Sequence, residues 1–185
     1  MLKYSLLLLG NMKCYLCGGK SRFKQQKGRS ICNSCFCRLL EKRVRKYARL
    51  NKLFKKGDRI LVKGDVNKYF VESILKDLPV KLFFKKNNNI NKVVVEWTLD
   101  DEINEFVKAL FLNKKVKKAG KTDVRLLKVL TDEEVKKFAK INKIKFKPNK
   151  KDKAVQEFLD NVEAKHPNIK YNLLKNIDNL KHSGW

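Results

Sequence analysis

The sequence predicts an α/β fold with a parallel sheet, preceded by a small cysteine-rich unit. Three observations predict it. From residue 57 onward, short β-branched runs alternate with longer amphipathic segments, the order that builds strand–helix–strand crossovers. One run, "VVVEW" at 93–97, is continuously apolar at its start, as in a strand buried on both faces. All five cysteines of the 185-residue chain lie between Cys14 and Cys37, ahead of that alternation.

Taken in order, the chain opens with "YSLLLLG" at 4–10. This is far shorter than the ~20 apolar residues that span a bilayer, and it lacks the small-residue cleavage site of a secretory leader. Met12 stands directly before the cysteines, so residues 1–11 read as an extension or a misassigned start. Cys14/Cys17 and Cys32/Cys35 form two Cys-x-x-Cys pairs fourteen residues apart, the spacing of a four-thiolate structural zinc site. Two disulfides or an iron–sulfur cluster are the alternatives. With four protein ligands, such a site keeps no open position for catalysis. Cys37 is too close to Cys35 to join the set and reads as a buried structural cysteine. The residues between the pairs predict a hairpin turning at Lys27-Gly28. Cysteines paired for metal, with no leader and no span, point to the reducing cytoplasm and not to a membrane. Residues 12–37 are thus a zinc ribbon.

Residues 38–56 predict a basic linking helix. Leu39, Leu40, Val44, Tyr47 and Leu50 recur at helical spacing, and Arg38, Lys42, Arg43, Arg45, Lys46 and Arg49 fill the remaining faces. The chain carries a net +26, of which +14 falls between Met12 and Lys56 and +11 between Gly57 and Trp185. Cations concentrated in this way suit a polyanion, because neutralising phosphates releases counterions. The alternative is a solvated lysine-rich surface. Those six helix residues are the candidate RNA contacts.

The body divides into an α/β core, 57–130, and a helical part, 131–185. Strands are expected at 59–64, 80–86, 93–97 and 124–130, and helices at 67–78, 100–112 and 131–142. A short extended piece at 144–146 and closing helices at 151–165 and 168–181 follow. Thr131 and Glu134 form a capping box, and His166 and His182 read as surface residues. Chemistry in such sheets sits beyond the strands' carboxyl ends. The first end, "KGDVNKYF", has one glycine, Gly64, where a phosphate cradle needs several. The second, "EWTLDDE", places Asp100 and Asp101 at a helix start, where they serve the helix dipole at least as well as catalysis or magnesium.

With these motifs in order, "MKCYLCG…ICNSCFCRLLEKRVRKYARLNKLFKKGDRILV" resembles the amino terminus of the tRNA 2-thiolation enzymes, the tRNA sulfurtransferases of the PP-loop ATP pyrophosphatase superfamily. There a zinc ribbon, a basic helix and a strand lead into Ser-Gly-Gly-Lys-Asp-Ser. "WTLDDEINEFVKALFL" resembles their Gly-His-Asn-Leu-Asp-Asp-Glu helix start. "LLKVLTDEEVKKFAKINKIKFK" resembles their Pro-Leu-x-x-x-x-Glu-x-Glu-Val segment, and "AVQEFLDNVEAKHPNIKYNLLKNIDNL" their closing helices. The resemblance covers most of residues 12–181 and implies a trimmed adenine nucleotide alpha hydrolase-like core with C-terminal helices.

The departures bear on activity. The PP-loop becomes Asp65-Val66-Asn67-Lys68-Tyr69-Phe70, in which only Lys68 survives. Leu99, Asp100, Asp101 and Glu102 remain of the second motif, while Glu96 and Trp97 stand for its Gly and His. The family's catalytic Cys-x-x-Cys has no counterpart, and its later cysteine falls at Lys147-Pro148-Asn149. The resemblance so modified implies a shortened, non-catalytic relative with a degenerate PP-loop: a zinc protein that binds tRNA or another structured RNA, alone or beside an active thiolation paralogue, with ATP not expected to bind. Two alternatives stand beside it. One is an active adenylating enzyme using Lys68, Asp100 and Asp101. The other is a zinc-ribbon accessory protein of transcription or translation.

Overall fold

In a computed structural model of the chain, the structure describes residues 12–21, 23–24, 29–86, 88–116 and 120–182. The chain divides into two compact units, Met1–Glu41 and Lys42–Trp185.

In the first unit, β1 (Phe23–Lys24) and β2 (Ser30–Ile31) pair antiparallel, with Phe23 opposite Ile31 and Lys24 opposite Ser30. The expected turn at Lys27-Gly28 lies outside the described residues. Ile31 is fully buried, and the Phe23 ring meets Phe36 edge-on at 5.1 Å. Ser21 is buried too, and its hydroxyl donates to the Ile31 carbonyl at 2.9 Å, so a polar group at the base of the hairpin is satisfied. Helix α1 (Asn33–Leu50) begins here. It starts five residues earlier than the expected stretch and ends before Lys56. Its buried positions are Cys35, Phe36, Leu40, Val44 and Ala48, largely an i, i+4 row. Leu50, expected in the apolar stripe, is 64% exposed, because its place at the helix end falls off that row.

The second unit holds a four-stranded sheet, all parallel, built from β3 (Arg59–Val62), β4 (Lys81–Phe83), β5 (Lys92–Val94) and β6 (Asp123–Val124) in the order β4–β3–β5–β6. Leu61 stands between Phe83 and Val93, and Val94 between Val62 and Val124. Ile60, Val62, Val94 and Val124 are buried. Asp58, just before β3, is fully buried. It accepts from the Lys55 amide at 2.8 Å and pairs with Lys92 Nζ at 2.8 Å, so the entry to β3 is tied to β5 by a compensated charge.

Helix α2 (Asp65–Ile74) follows β3 directly. Its Phe70 ring stacks on Phe138 of α4 (Asp132–Asn142) at 4.8 Å. Helix α3 (Leu99–Phe111) follows β5 and packs Leu99, Ile103, Phe106 and Val107 against Val155 and Leu159 of α5 (Lys153–Lys165) and Leu174 and Ile177 of α6 (Ile169–His182). Both α3 and α4 open with capping boxes, Thr98 with Asp101 and the expected Thr131 with Glu134.

The segment 124–130 departs from expectation. Beyond Val124 it is a 3-10 helix, Leu126–Val129, not a strand. Leu126, Leu127 and Leu130 are all fully buried: the turn places Leu126 and Leu127 inside together, where strand alternation would send them to opposite faces, and Leu130 follows in extended backbone. Residues 144–146 belong to no strand. The parallel α/β architecture itself is as the sequence predicts.

Candidate functional site

The first candidate is the cysteine knuckle. The Sγ atoms of Cys14, Cys17, Cys32 and Cys35 lie within 4.8 Å of one another. Cys17 and Cys32 are 3.8 Å apart, so no disulfide joins them, and all the cysteines are free thiols. Sulfurs at the corners of a tetrahedron around one ion, with metal–sulfur bonds of about 2.3 Å, stand about 3.8 Å apart. The local fold explains this gathering. The Cys14 amide donates to the Gly19 carbonyl at 2.7 Å and the Gly18 amide to the Cys14 carbonyl at 2.8 Å, which closes a turn around the first pair. Gly18 occupies φ 71°, a backbone position that favours glycine. The second pair sits at the start of α1, where the Cys35 amide donates to Cys32 Sγ at 3.4 Å. Cys37 is half-buried one helix step on and outside the cluster, less covered than expected.

Charge in the cluster is divided unevenly. Burial pushes the Cys14 thiol up, but hydrogen bonds from the backbone at Cys32, Leu16 and Cys17 outweigh it and bring it down to about 6. The Cys35 thiol is pushed up to about 12 by its contacts with Cys32 and Cys17, then by burial. Four thiolates this close repel one another, and a central cation is what would let all four ionise together. The set could hold one metal ion.

The second candidate lies at the carboxyl end of β3, where the strand order reverses between β3 and β5. A cavity of about 710 Å³ opens there, lined by Leu61, Lys63, Gly64, Phe84, Lys86 and Ile90 among others. Gly64 caps α2 at φ 83°. A side chain at position 64 would run into the Glu96 side chain, so the Glu96 carboxylate rests against the residue that opens the helix. Asp65 occupies the first turn beside it. Burial raises the Glu96 pKa, and the charge of Asp65 raises it further. A helix amino terminus attracts an anion. This one already faces two carboxylates of its own chain.

The three residual catalytic candidates each have partners of their own. Lys68 is half-exposed, 4.0 Å from Glu72 and 4.8 Å from the centre of the Phe84 ring. Asp100 is buried, paired with Lys170 at 3.0 Å, and accepts from the Asp132 amide at 2.6 Å. Asp101 is buried between the Thr98 cap, Asn149 and Lys151, and Lys151 also reaches Asp132 at 3.0 Å. Burial lowers the Lys151 pKa, but its bonds to Asp101 and Asp132 outweigh that and leave it raised.

Of the six candidate RNA contacts on α1, Arg38, Lys42, Arg45, Lys46 and Arg49 are exposed. Arg43 is different. Its guanidinium donates to both Glu134 oxygens, at 2.9 and 2.8 Å, and to the Tyr171 hydroxyl at 3.1 Å. Nothing in the spacing of α1 distinguishes Arg43 from its neighbours, because its partners are about 90 and 130 residues away in sequence. The placement of Glu96 against Gly64 was also not legible, although both residues stand at strand ends that the sequence marks.

Taken together, fold and knuckle define an α/β protein with a parallel sheet and a four-cysteine cluster near its amino terminus. No protein-family model matches the sequence, and no curated protein matches it. Among solved structures, the chain is similar to a U34-tRNA thiolase, NcsA from Methanococcus maripaludis, with its [4Fe-4S] cluster. The TM-score is 0.72 at 16% identity, over 92% of this chain and 87% of that one. The likeness establishes a shared fold. Among the described residues, no helix is long and apolar enough to cross a membrane.

Proposed function

We propose that the chain is a zinc-containing tRNA-binding protein related to the tRNA-thiolation enzymes but without their catalytic activity, working alone or as the partner of an active paralogue in the cytoplasm. The observation that carries the non-catalytic part is the Glu96 carboxylate packed against Gly64 at the start of α2. A triphosphate placed there would meet the carboxylates of Glu96 and Asp65 beside the helix start. At an effective dielectric near 20, each like-charge contact at about 4 Å opposes binding by up to about 4 kcal/mol. Three further features point the same way. Asp100 and Asp101 are held by lysines. Between Phe83, where β4 ends, and Lys92, where β5 begins, there is only a short loop. All five cysteines fall in residues 14–37, so no pair remains elsewhere for a catalytic cluster.

Zinc is favoured because one ion fits sulfurs that lie within 4.8 Å of one another. A four-iron cluster puts each thiolate on its own iron and the sulfurs further apart. Cys14, Cys17, Cys32 and Cys35 would hold it. The ion would fix the knuckle and do no chemistry, since four thiolates fill its coordination. Support for tRNA is the acid-poor stretch Met12–Lys56, at +14.

The test is titration of the metal-loaded chain with magnesium ATP and, separately, with tRNA. The expected result is no ATP binding at millimolar levels and salt-sensitive tRNA binding. Pyrophosphate release that Lys68→Ala abolishes would overturn the reading. The cavity beside Gly64 is the observation on the other side, since it leaves room for a ligand near Lys63 and Lys86 and so favours a residual nucleotide enzyme.

A further inference from the structure

The tip of the cysteine knuckle carries an unusual residue. Tyr15 lies between two cysteines of the cluster, Cys14 and Cys17, and is 42% exposed; Leu16 beside it is 48% exposed. An aromatic ring left in water forfeits burial energy that a core position would supply. Its backbone is nevertheless fixed. The Tyr15 amide donates to the Ser30 carbonyl at 3.0 Å, and the turn bonds of Cys14 and Gly18 close on either side. Only two side-chain torsions remain free, so the ring can serve as a contact surface with little entropy left to lose.

The surroundings select the occupant. The guanidinium of Arg29 lies over the Tyr15 ring, 5.5 Å from its centre. Lys13, Lys20 and Arg29 are all exposed on the same small unit. From Met12 to Leu40 the sequence holds seven lysines and arginines and no acid. A flat, rigid aromatic ring among unopposed cations matches a chain of phosphates with bases between them. In a duplex the base faces are stacked on each other and unavailable to a side chain. A single-stranded segment offers them.

We propose that Tyr15 is a stacking platform for an unpaired nucleobase of RNA, with Arg29 and the neighbouring lysines neutralising the adjoining phosphates. The proposal rests on the RNA-binding reading and adds that the ribbon grips a single-stranded segment.

The experiment uses the full, metal-loaded chain and two probes: a single-stranded RNA of about ten nucleotides carrying 2-aminopurine, and a duplex of the same length. The wild-type chain and Tyr15→Trp should quench the 2-aminopurine fluorescence on binding, and Tyr15→Ala should not. Tyr15→Ala should weaken single-strand binding by about tenfold, the loss typical of one aromatic–base stack, and change duplex binding by less than about twofold. Arg29→Gln should instead lower the salt slope by about one phosphate's worth. Single-strand affinity unchanged in Tyr15→Ala, or quenching that persists in it, overturns the proposal and leaves RNA binding standing. Failure of the wild-type chain to bind either RNA overturns both. Should Tyr15→Ala lose its metal, the wild-type quenching decides, and its absence overturns the platform.

Discussion

Replacing Lys42, Arg45, Lys46 and Arg49 of α1 together by Gln tests whether this helix grips RNA, and the structure sets the size of the effect. All four are exposed. Each cation that neutralises a phosphate adds about 0.7 to 0.9 to the slope of log affinity against log salt, so losing four should lower that slope by about 3. Across the range from about 50 to 200 mM salt, this is a difference of about 60-fold in how far affinity falls. Arg43 is left out deliberately. Glu134 and Tyr171 hold its guanidinium, so Arg43→Gln should cost about 2 kcal/mol of stability, between a surface and a buried pair, and leave the slope unchanged. The assay is tRNA binding by fluorescence anisotropy at several salt concentrations, with urea unfolding of each variant alongside. A control replaces Lys136, Lys140, Lys147 and Lys150, also exposed, by Gln. An unchanged slope in the α1 variant, or an equal loss in the control, refutes the choice of surface. A slope lowered by Arg43→Gln alone refutes the reading of Arg43 as internal.

Two further outcomes follow from the packing and the thiol cluster. Metal analysis should find close to one zinc per chain; Cys32→Ser should lose it and loosen the first unit, while Cys37→Ser keeps it, and iron in place of zinc or loss on changing Cys37 would overturn the ligand set. At Asp58, burial raises the pKa but the Lys92 ion pair together with the bonds from the Lys55 amide and Asn91 outweighs it, so the folded pKa lies below the unfolded one; its stabilisation is present above the unfolded value and should be lost as pH falls through the folded one. Lys92→Met strands that carboxylate and should cost about 3 to 5 kcal/mol in urea unfolding at neutral pH, and a cost under about 1 kcal/mol would show that the pair is not what holds β3 to β5.

What the sequence reveals and what it conceals divide by range. The Cys-x-x-Cys pairs, the Thr131–Glu134 capping box and the continuous apolar run of β5 are local signals, and each depends on residues a few positions apart. The 3-10 helix Leu126–Val129 defeats the same reasoning, because a short, mostly apolar run such as "VRLLKVL" fits strand or helix equally, and only the joint burial of the adjacent Leu126 and Leu127 selects the turn. Leu50 misleads for a related reason, since an apolar residue at a helix end continues the pattern whether or not anything covers it. Arg43 and Glu96 lay beyond local reasoning altogether. Each acts on a residue from another element, brought near only by the fold.

On the proposed non-catalytic reading, the second motif-like segment would persist because its residues hold the fold. Leu99 is buried against the α5 and α6 helices, so its side chain is core. Asp100 joins Lys170 of α6 to the start of α4 through the Asp132 amide. Asp101 closes the α3 cap and holds Lys151, which turns the chain toward α5. Glu102 is 2% exposed and takes Arg125, Lys128 and the Trp97 indole. Every one of the four thus ties α3 to the rest of the unit, and removing a partner would leave a buried charge or a cavity. No such duty falls on a PP-loop. Glycines in such a loop let backbone approach a phosphate, and on the proposed reading bulk at these positions would cost nothing. Tyr69 and Phe70 instead pack their rings on Phe138. On the proposed reading, the wired segment survived because the fold needs it, and the cradle changed because only the chemistry did.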